Sequence, residues 1–139
     1  MGPAPQSTTT GQTRATSHLP RVLIVEDELL VAWHLESLAR DLRLDVCGLV
    51  PDGEGAIEQA VDLDVDLILM DIRLAGRMDG IEAARRIRDQ RDTPIIFITA
   101  HGDPATRAKI EQTLPGTPVL AKPITGGSLK DAVASVMKA

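Results

Sequence analysis

Three carboxylates, a hydroxyl and an ammonium stand where four short apolar runs end. Val22-Leu23-Ile24-Val25 leads into Glu26 and Asp27, and Leu67-Ile68-Leu69-Met70 into Asp71. Pro94-Ile95-Ile96-Phe97-Ile98 leads into Thr99, and Val119-Leu120-Ala121 into Lys122. Adjacent carboxylates crowd negative charge, a cost that a bound cation removes. Oxygen-only ligands suit Mg²⁺ or Mn²⁺ rather than Zn²⁺. Mg²⁺ keeps several waters and uses one or two protein carboxylates plus phosphate oxygens. A third carboxylate is then available as a nucleophile that forms an acyl phosphate. The transferred phosphoryl has three equatorial oxygens that need partners. The cation takes one, the Lys122 ammonium another, and the Thr99 hydroxyl with the Ala100 N–H the third. Singly, each residue has an ordinary explanation: a solvated acid pair, a turn cap, a strand-end hydroxyl bonded to backbone, an exposed lysine. Their joint placement at successive strand ends favours the functional explanation.

The elements that position these groups follow from periodicity. Short apolar runs alternating with helical stretches predict parallel strands buried on both faces. Strands are predicted at residues 21–25, 46–50, 66–70, 95–99 and 119–121. The first helix spans residues 28–42, with Val31, Leu35, Leu38 and Leu42 on one stripe. The second opens at Asp52-Gly53 and turns Ile57, Ala60 and Val61 inward. Asp79 with Glu82 is a capping pair for the third, which buries Ile81, Ala84 and Ile87. Asp103-Pro104 starts the fourth helix, residues 104–114, whose apolar residues share no clean face. Ser128 opens the fifth, with Leu129, Ala132, Val133 and Val136 inward. Five such βα units make an open, doubly wound α/β sheet, in which chemistry gathers outside the carboxyl ends of the strands.

Composition narrows the function classes. The 139 residues form one domain plus a tail. Residues 1–20, rich in Thr, Ser, Gln, Pro and Gly, have little to bury and are expected to be disordered. Fifteen basic against 20 acidic residues disfavour a nucleic-acid binder that works through the phosphate backbone. The single cysteine, Cys47, rules out an internal disulfide framework and fits a reducing compartment. No stretch approaches the roughly 18 apolar residues of a membrane span, and the first twenty lack a secretory pattern. The expectation is a cytoplasmic protein with neither membrane nor nucleic-acid partners. Glu82, Asp89 and Asp92 interrupt the arginine run 85–91, which reads as a solvated face. Gly53 and Gly55 do not complete a dinucleotide fingerprint, because Glu58 occupies the third glycine's place. Cys47 reads as a small buried hydrophobe, and His34 as structural or exposed.

From Arg21 to Ala139 the chain resembles the receiver domain of two-component response regulators. The segments VLIVEDE, LILMDIRLAGRMDGIEAA, IIFITAHGD and VLAKPI carry the likeness in order and spacing. The resemblance implies a flavodoxin-like sheet of order 2-1-3-4-5 with five helices. It implies Asp71 as phosphoacceptor, Asp27 as direct Mg²⁺ ligand, Glu26 as second acid and the Arg73 carbonyl as a further ligand. Thr99 would be the switch hydroxyl and Lys122 the phosphate-binding lysine, with a cis bond before Pro123. His101 and Arg73 fall where such domains tune phosphoryl loss. Two departures stand out. The loop of residues 72–78 is one residue longer than in many members and has Ala75 in place of a proline. Val119 stands where an aromatic residue is usual.

The resulting expectation is a stand-alone receiver that takes a phosphoryl group from a sensor histidine kinase or histidine phosphotransfer protein. It would catalyse only its own phosphorylation and dephosphorylation. Output would run through a downstream protein on the face of helix 4, strand 5 and helix 5, or through onward phosphotransfer. With Val119 too short to swing, the poorly striped helix 4 and the residues 101–104 before it would carry the switch. Two rival readings compete with this one. A Mg²⁺-dependent aspartyl-phosphate hydrolase would need a second acid where Arg73 stands, and a cap. A receiver-like scaffold that is never phosphorylated would not need the intact acids, threonine and lysine.

Overall fold

The computed structural model describes residues 19–62, 64–100 and 102–137. Five parallel strands form one sheet in the order β2-β1-β3-β4-β5. They are β1 (Arg21–Val25), β2 (Asp45–Val50), β3 (Leu67–Asp71), β4 (Ile95–Thr99) and β5 (Val119–Ala121). The helices are α1 (Leu29–Asp41), α2 (Gly53–Asp62), α3 (Gly80–Gln90), α4 (Pro104–Thr113) and α5 (Gly126–Val136). The resemblance implied this fold and strand order.

Alternation along the central strands splits the core into two. Leu23, Val25, Ile68, Met70 and Phe97 face α2 and α3. Val22, Ile24, Leu67, Leu69, Ile96 and Ile98 face α1 and α5. Every residue of β3 and β4 is buried, which is why these strands read as unbroken apolar runs. Each large side chain so buried contributes about 1.5–3 kcal/mol.

The helices largely keep their expected faces. In α1 the buried residues are Ala32, Leu35 and Ala39, while Val31, Leu38 and Leu42 flank them half-buried. In α2 they are Gly53, Ala56 and Ala60, with Ile57 beside them. Small residues let these helices approach the core closely and push the larger ones to the rim. The first helix ends in a Schellman turn: Arg43 takes φ +63°, its N–H donates to Arg40 O (2.9 Å), and the Leu44 N–H to Ala39 O (3.0 Å). Asp79 and Asp103 cap α3 and α4 as expected, accepting from the N–H groups of Glu82 and Thr106. In α4 only Ile110 is buried.

Boundaries shift by a residue or two: β2 begins at Asp45, β3 at Leu67, α1 spans Leu29–Asp41 and α4 ends at Thr113. Strand β3 runs on to include Asp71, because pairing with β4 continues through Asp71 and Ile98. Helix α5 starts two residues before Ser128: Thr125 is the cap, and Ser128, at the third position, completes a capping box. The expectation of a disordered tail falls mainly on residues 1–18, and that for His101 on a single residue; both lie outside the described residues.

Candidate functional site

The carboxyl ends of β1, β3, β4 and β5 bring the chemistry together. Ligand oxygens of Glu26, Asp27 and Asp71 lie within 4.8 Å of one another. Glu26 and Asp71 are buried and Asp27 is exposed, so the cluster has a buried floor and one acid at the solvent edge. Lys122 reaches in from the end of β5. Its Nζ stands 3.0 Å from Glu26 Oε1, 3.1 Å from Asp71 Oδ2 and 3.7 Å from Glu28 Oε1.

Main-chain contacts fix these groups. The Lys122 N–H donates to Thr99 O (2.9 Å), which ties the lysine to the end of β4. Thr99 itself is buried and pairs in register with Ala121. The Arg73 N–H donates to Asp71 Oδ1 at 3.3 Å, and the Glu28 N–H to Glu26 Oε2 at 3.1 Å. The Lys122–Pro123 bond is cis.

Gly80 makes the approach of α3 to the site feasible. A Cβ there would fall 2.0 Å from Asp71 O, a distance no side chain tolerates. The Gly80 N–H donates to Ile72 O at 2.7 Å, so the start of α3 packs on the main chain just past Asp71. Between them, Ala75 forms a β-bridge with Asp52, and Gly76 takes φ +93°. Ile72 and Met78 anchor this loop in the core.

Electrostatics fit a cation. Burial pushes the Glu26 carboxyl up to about 7, although Lys122 and the Glu28 N–H pull it down. Burial alone would lower the Lys122 ammonium, but Glu26 and Asp71 outweigh it and hold it above its ordinary value. Glu26 Oε1 is buried without a well-aligned hydrogen bond, despite its charge contact with Lys122. A buried acid with one unmatched oxygen, beside two further carboxylates, fits an oxygen-preferring divalent cation.

All of Glu26, Asp27, Asp71, Arg73, Thr99 and Lys122 thus fall at one edge of the sheet. Sequence reasoning missed Glu28, whose only signal was a third acid in the run Glu26-Asp27-Glu28. It read His34 as structural or exposed, and the structure shows an exposed residue with a specific ring contact. The His34 ring meets the β5–α5 loop, with Nε2 3.0 Å from Ile124 O.

Comparisons with known proteins agree with this geometry. The family model for the response regulator receiver domain matches residues 22–134. Over 89 residues the chain is 39% identical to the transcriptional regulatory protein PdtaR of Mycobacterium tuberculosis, covering 63% of this chain and 43% of that protein. The chain spans less than half the length of the curated relatives it matches. Among solved structures, the receiver domain of a modulated diguanylate cyclase from Desulfovibrio desulfuricans G20 superposes with a TM-score of 0.79 at 39% identity. That match covers 86% of this chain and 94% of the other. The receiver domain of sensor histidine kinase PA1611 from Pseudomonas aeruginosa PAO1, solved with a magnesium ion in its active-site cleft, gives 0.76 at 32% identity, covering 87% and 99%. The fold, the strand-end acids and the family match over residues 22–134 lead to one conclusion: the chain belongs to the response regulator receiver domain family.

Proposed function

We propose that this chain accepts a phosphoryl group from a phosphohistidine donor onto Asp71 in a Mg²⁺-dependent reaction. The observation that carries the reading is Lys122, whose ammonium touches both Glu26 and Asp71 over a three-carboxylate cluster. Glu26, Asp27, Asp71 and the Arg73 carbonyl would hold Mg²⁺; Mn²⁺ suits the same oxygens. When bound, the ion neutralises the acids and draws charge from a phosphoryl oxygen.

An Asp71 carboxylate oxygen attacks phosphorus. The new O–P bond forms as the donor's N–P bond breaks, and the departing imidazole keeps the electron pair. Lys122, no longer facing a free Asp71 carboxylate, pairs with a phosphoryl oxygen. The Thr99 hydroxyl and the Ala100 N–H serve another. The chain would catalyse only its own phosphorylation and dephosphorylation.

A sensor histidine kinase or a histidine phosphotransfer protein is the proposed donor. The groove beside Lys122 is lined by Leu30, Val31, His34, Pro123 and Ile124, and Leu29, Leu30 and Trp33 of the same helix are exposed. This apolar surface gives a donor contact area within reach of the site. A downstream protein would bind the α4–β5–α5 face, where α4 buries only Ile110 and so is weakly held.

Phosphoramidate with Mg²⁺ tests the reading. One phosphoryl should add at Asp71, and Asp71→Asn should abolish it while the fold is kept. Undiminished labelling of that variant would overturn the assignment.

A further inference from the structure

We propose that His34 is a positioning residue for Lys122, acting through the main chain of the β5–α5 loop. This rests on the phosphoryl-transfer reading above.

Residues 122–125 join β5 to α5. Both ends of this loop are tied. The Lys122 N–H donates to Thr99 O, and the Thr125 hydroxyl accepts from the Ser128 N–H at 3.1 Å to cap α5. The middle has fewer means. Pro123 has no N–H to donate. Ile124 is therefore the residue through which the loop's centre is held, and it is held twice. Its side chain is buried in the core cluster with Leu35 and Leu129. Its carbonyl oxygen lies 3.0 Å from His34 Nε2, across 90 residues of sequence. A carbonyl only accepts, so His34 Nε2 carries the proton and donates.

The link joins two halves of the site. Helix α1 begins three residues after Glu26, so the imidazole belongs to the element that the acid pair leads into. Ile124 lies two residues beyond Lys122. The ammonium must meet Glu26 Oε1 and Asp71 Oδ2 at once, at 3.0 and 3.1 Å, from the end of a long and freely rotating stem. The backbone at its root is held to β4 by the Lys122 N–H, and the bond from α1 adds a second tie two residues on, to the helix that the acid pair leads into. Losing it leaves the acids in place, since they stand at the ends of β1 and β3, but loosens the ammonium that must follow the phosphoryl oxygens. Preorganisation of this kind acts on the rate of transfer and not on the metal.

The full chain is assayed for acyl-phosphate formation at saturating Mg²⁺ over a range of phosphoramidate concentrations. His34→Ala should lower the maximal rate constant about three- to tenfold, the range expected for one lost hydrogen bond. The half-saturating Mg²⁺ concentration should stay unchanged. His34→Gln, whose amide nitrogen takes the place of Nε2, should restore the rate to within about twofold. If His34→Ala labels as fast as wild type, or His34→Gln is as slow as His34→Ala, the positioning role is wrong. If His34→Ala weakens Mg²⁺ binding as much as it slows labelling, the residue supports the whole site and the proposal also fails. If wild type takes up no phosphoryl group at all, the phosphoryl-transfer reading falls and this inference with it.

Discussion

Glu26 should make the metal-free protein less stable as pH rises through neutrality. Its carboxyl is raised from 4.5 to about 7, chiefly by burial. In the unfolded chain it titrates near its ordinary value, so between about pH 4.5 and 7 the folded state binds the extra proton. Stability is full below the lower value, falls across this window, and is lowest above about 7. At about 1.36 kcal/mol per pH unit, the difference between 4.5 and about 7 amounts to about 3 kcal/mol at most. The raised Lys122 ammonium acts in the opposite part of the scale. Its contribution is present throughout this window and is lost as pH rises from its ordinary value of 10.5 through its raised one. Glu26→Gln keeps the shape and removes the titration. Urea unfolding of wild type and Glu26→Gln from about pH 5 to about pH 8, without Mg²⁺, reads the term, since groups away from Glu26 cancel in the difference. Wild type should lose about 2–3 kcal/mol relative to the variant over that range. Parallel curves, or a wild type that gains on the variant, would show that burial does not raise the Glu26 carboxyl. Added Mg²⁺ should restore more stability at the upper end than at the lower, because a cation binds the ionised acid.

Three further outcomes follow from the same geometry. Gly80→Ala should destabilise the fold by about 3 kcal/mol, measured by urea unfolding, because its methyl would meet Asp71 O. In Mg²⁺ titrations by calorimetry, Asp27→Ala should weaken binding more than Glu26→Ala, as a direct ligand would. Hydrogen exchange with Mg²⁺ and beryllofluoride should raise protection in α4, which the resting protein holds by Ile110 and the Leu114 that follows it. Changes confined to α2 and α3 would contradict that switch.

The central strands were legible because burial on both faces leaves an apolar run that a polar residue ends. The site was legible for the same reason: in parallel strands those ending residues share one edge. The apolar pattern ends β3 one residue short, because Asp71 closes the apolar run while its backbone still pairs with β4. The start of α5 was placed late because Gly126 and Gly127 disfavour a helix; the Thr125–Ser128 capping box overrides them. The weak anchoring of α4 was visible in its scattered apolar residues. The His34–Ile124 contact was not visible. It spans 90 residues, joins a side chain to a carbonyl, and leaves no periodicity to read. Glu28 was hidden by its neighbours, since any of three consecutive acids could have turned toward Lys122.

Phosphoryl transfer onto Asp71, with help from the surrounding acids and Lys122, is directly measurable. The most direct test is mass spectrometry of the full chain after phosphoramidate with Mg²⁺, with the modified residue mapped by peptide analysis. A single phosphoryl is expected on Asp71, lost on chelating Mg²⁺ beforehand and absent from Asp71→Asn. Modification of another residue, or equal labelling without Mg²⁺, would contradict it.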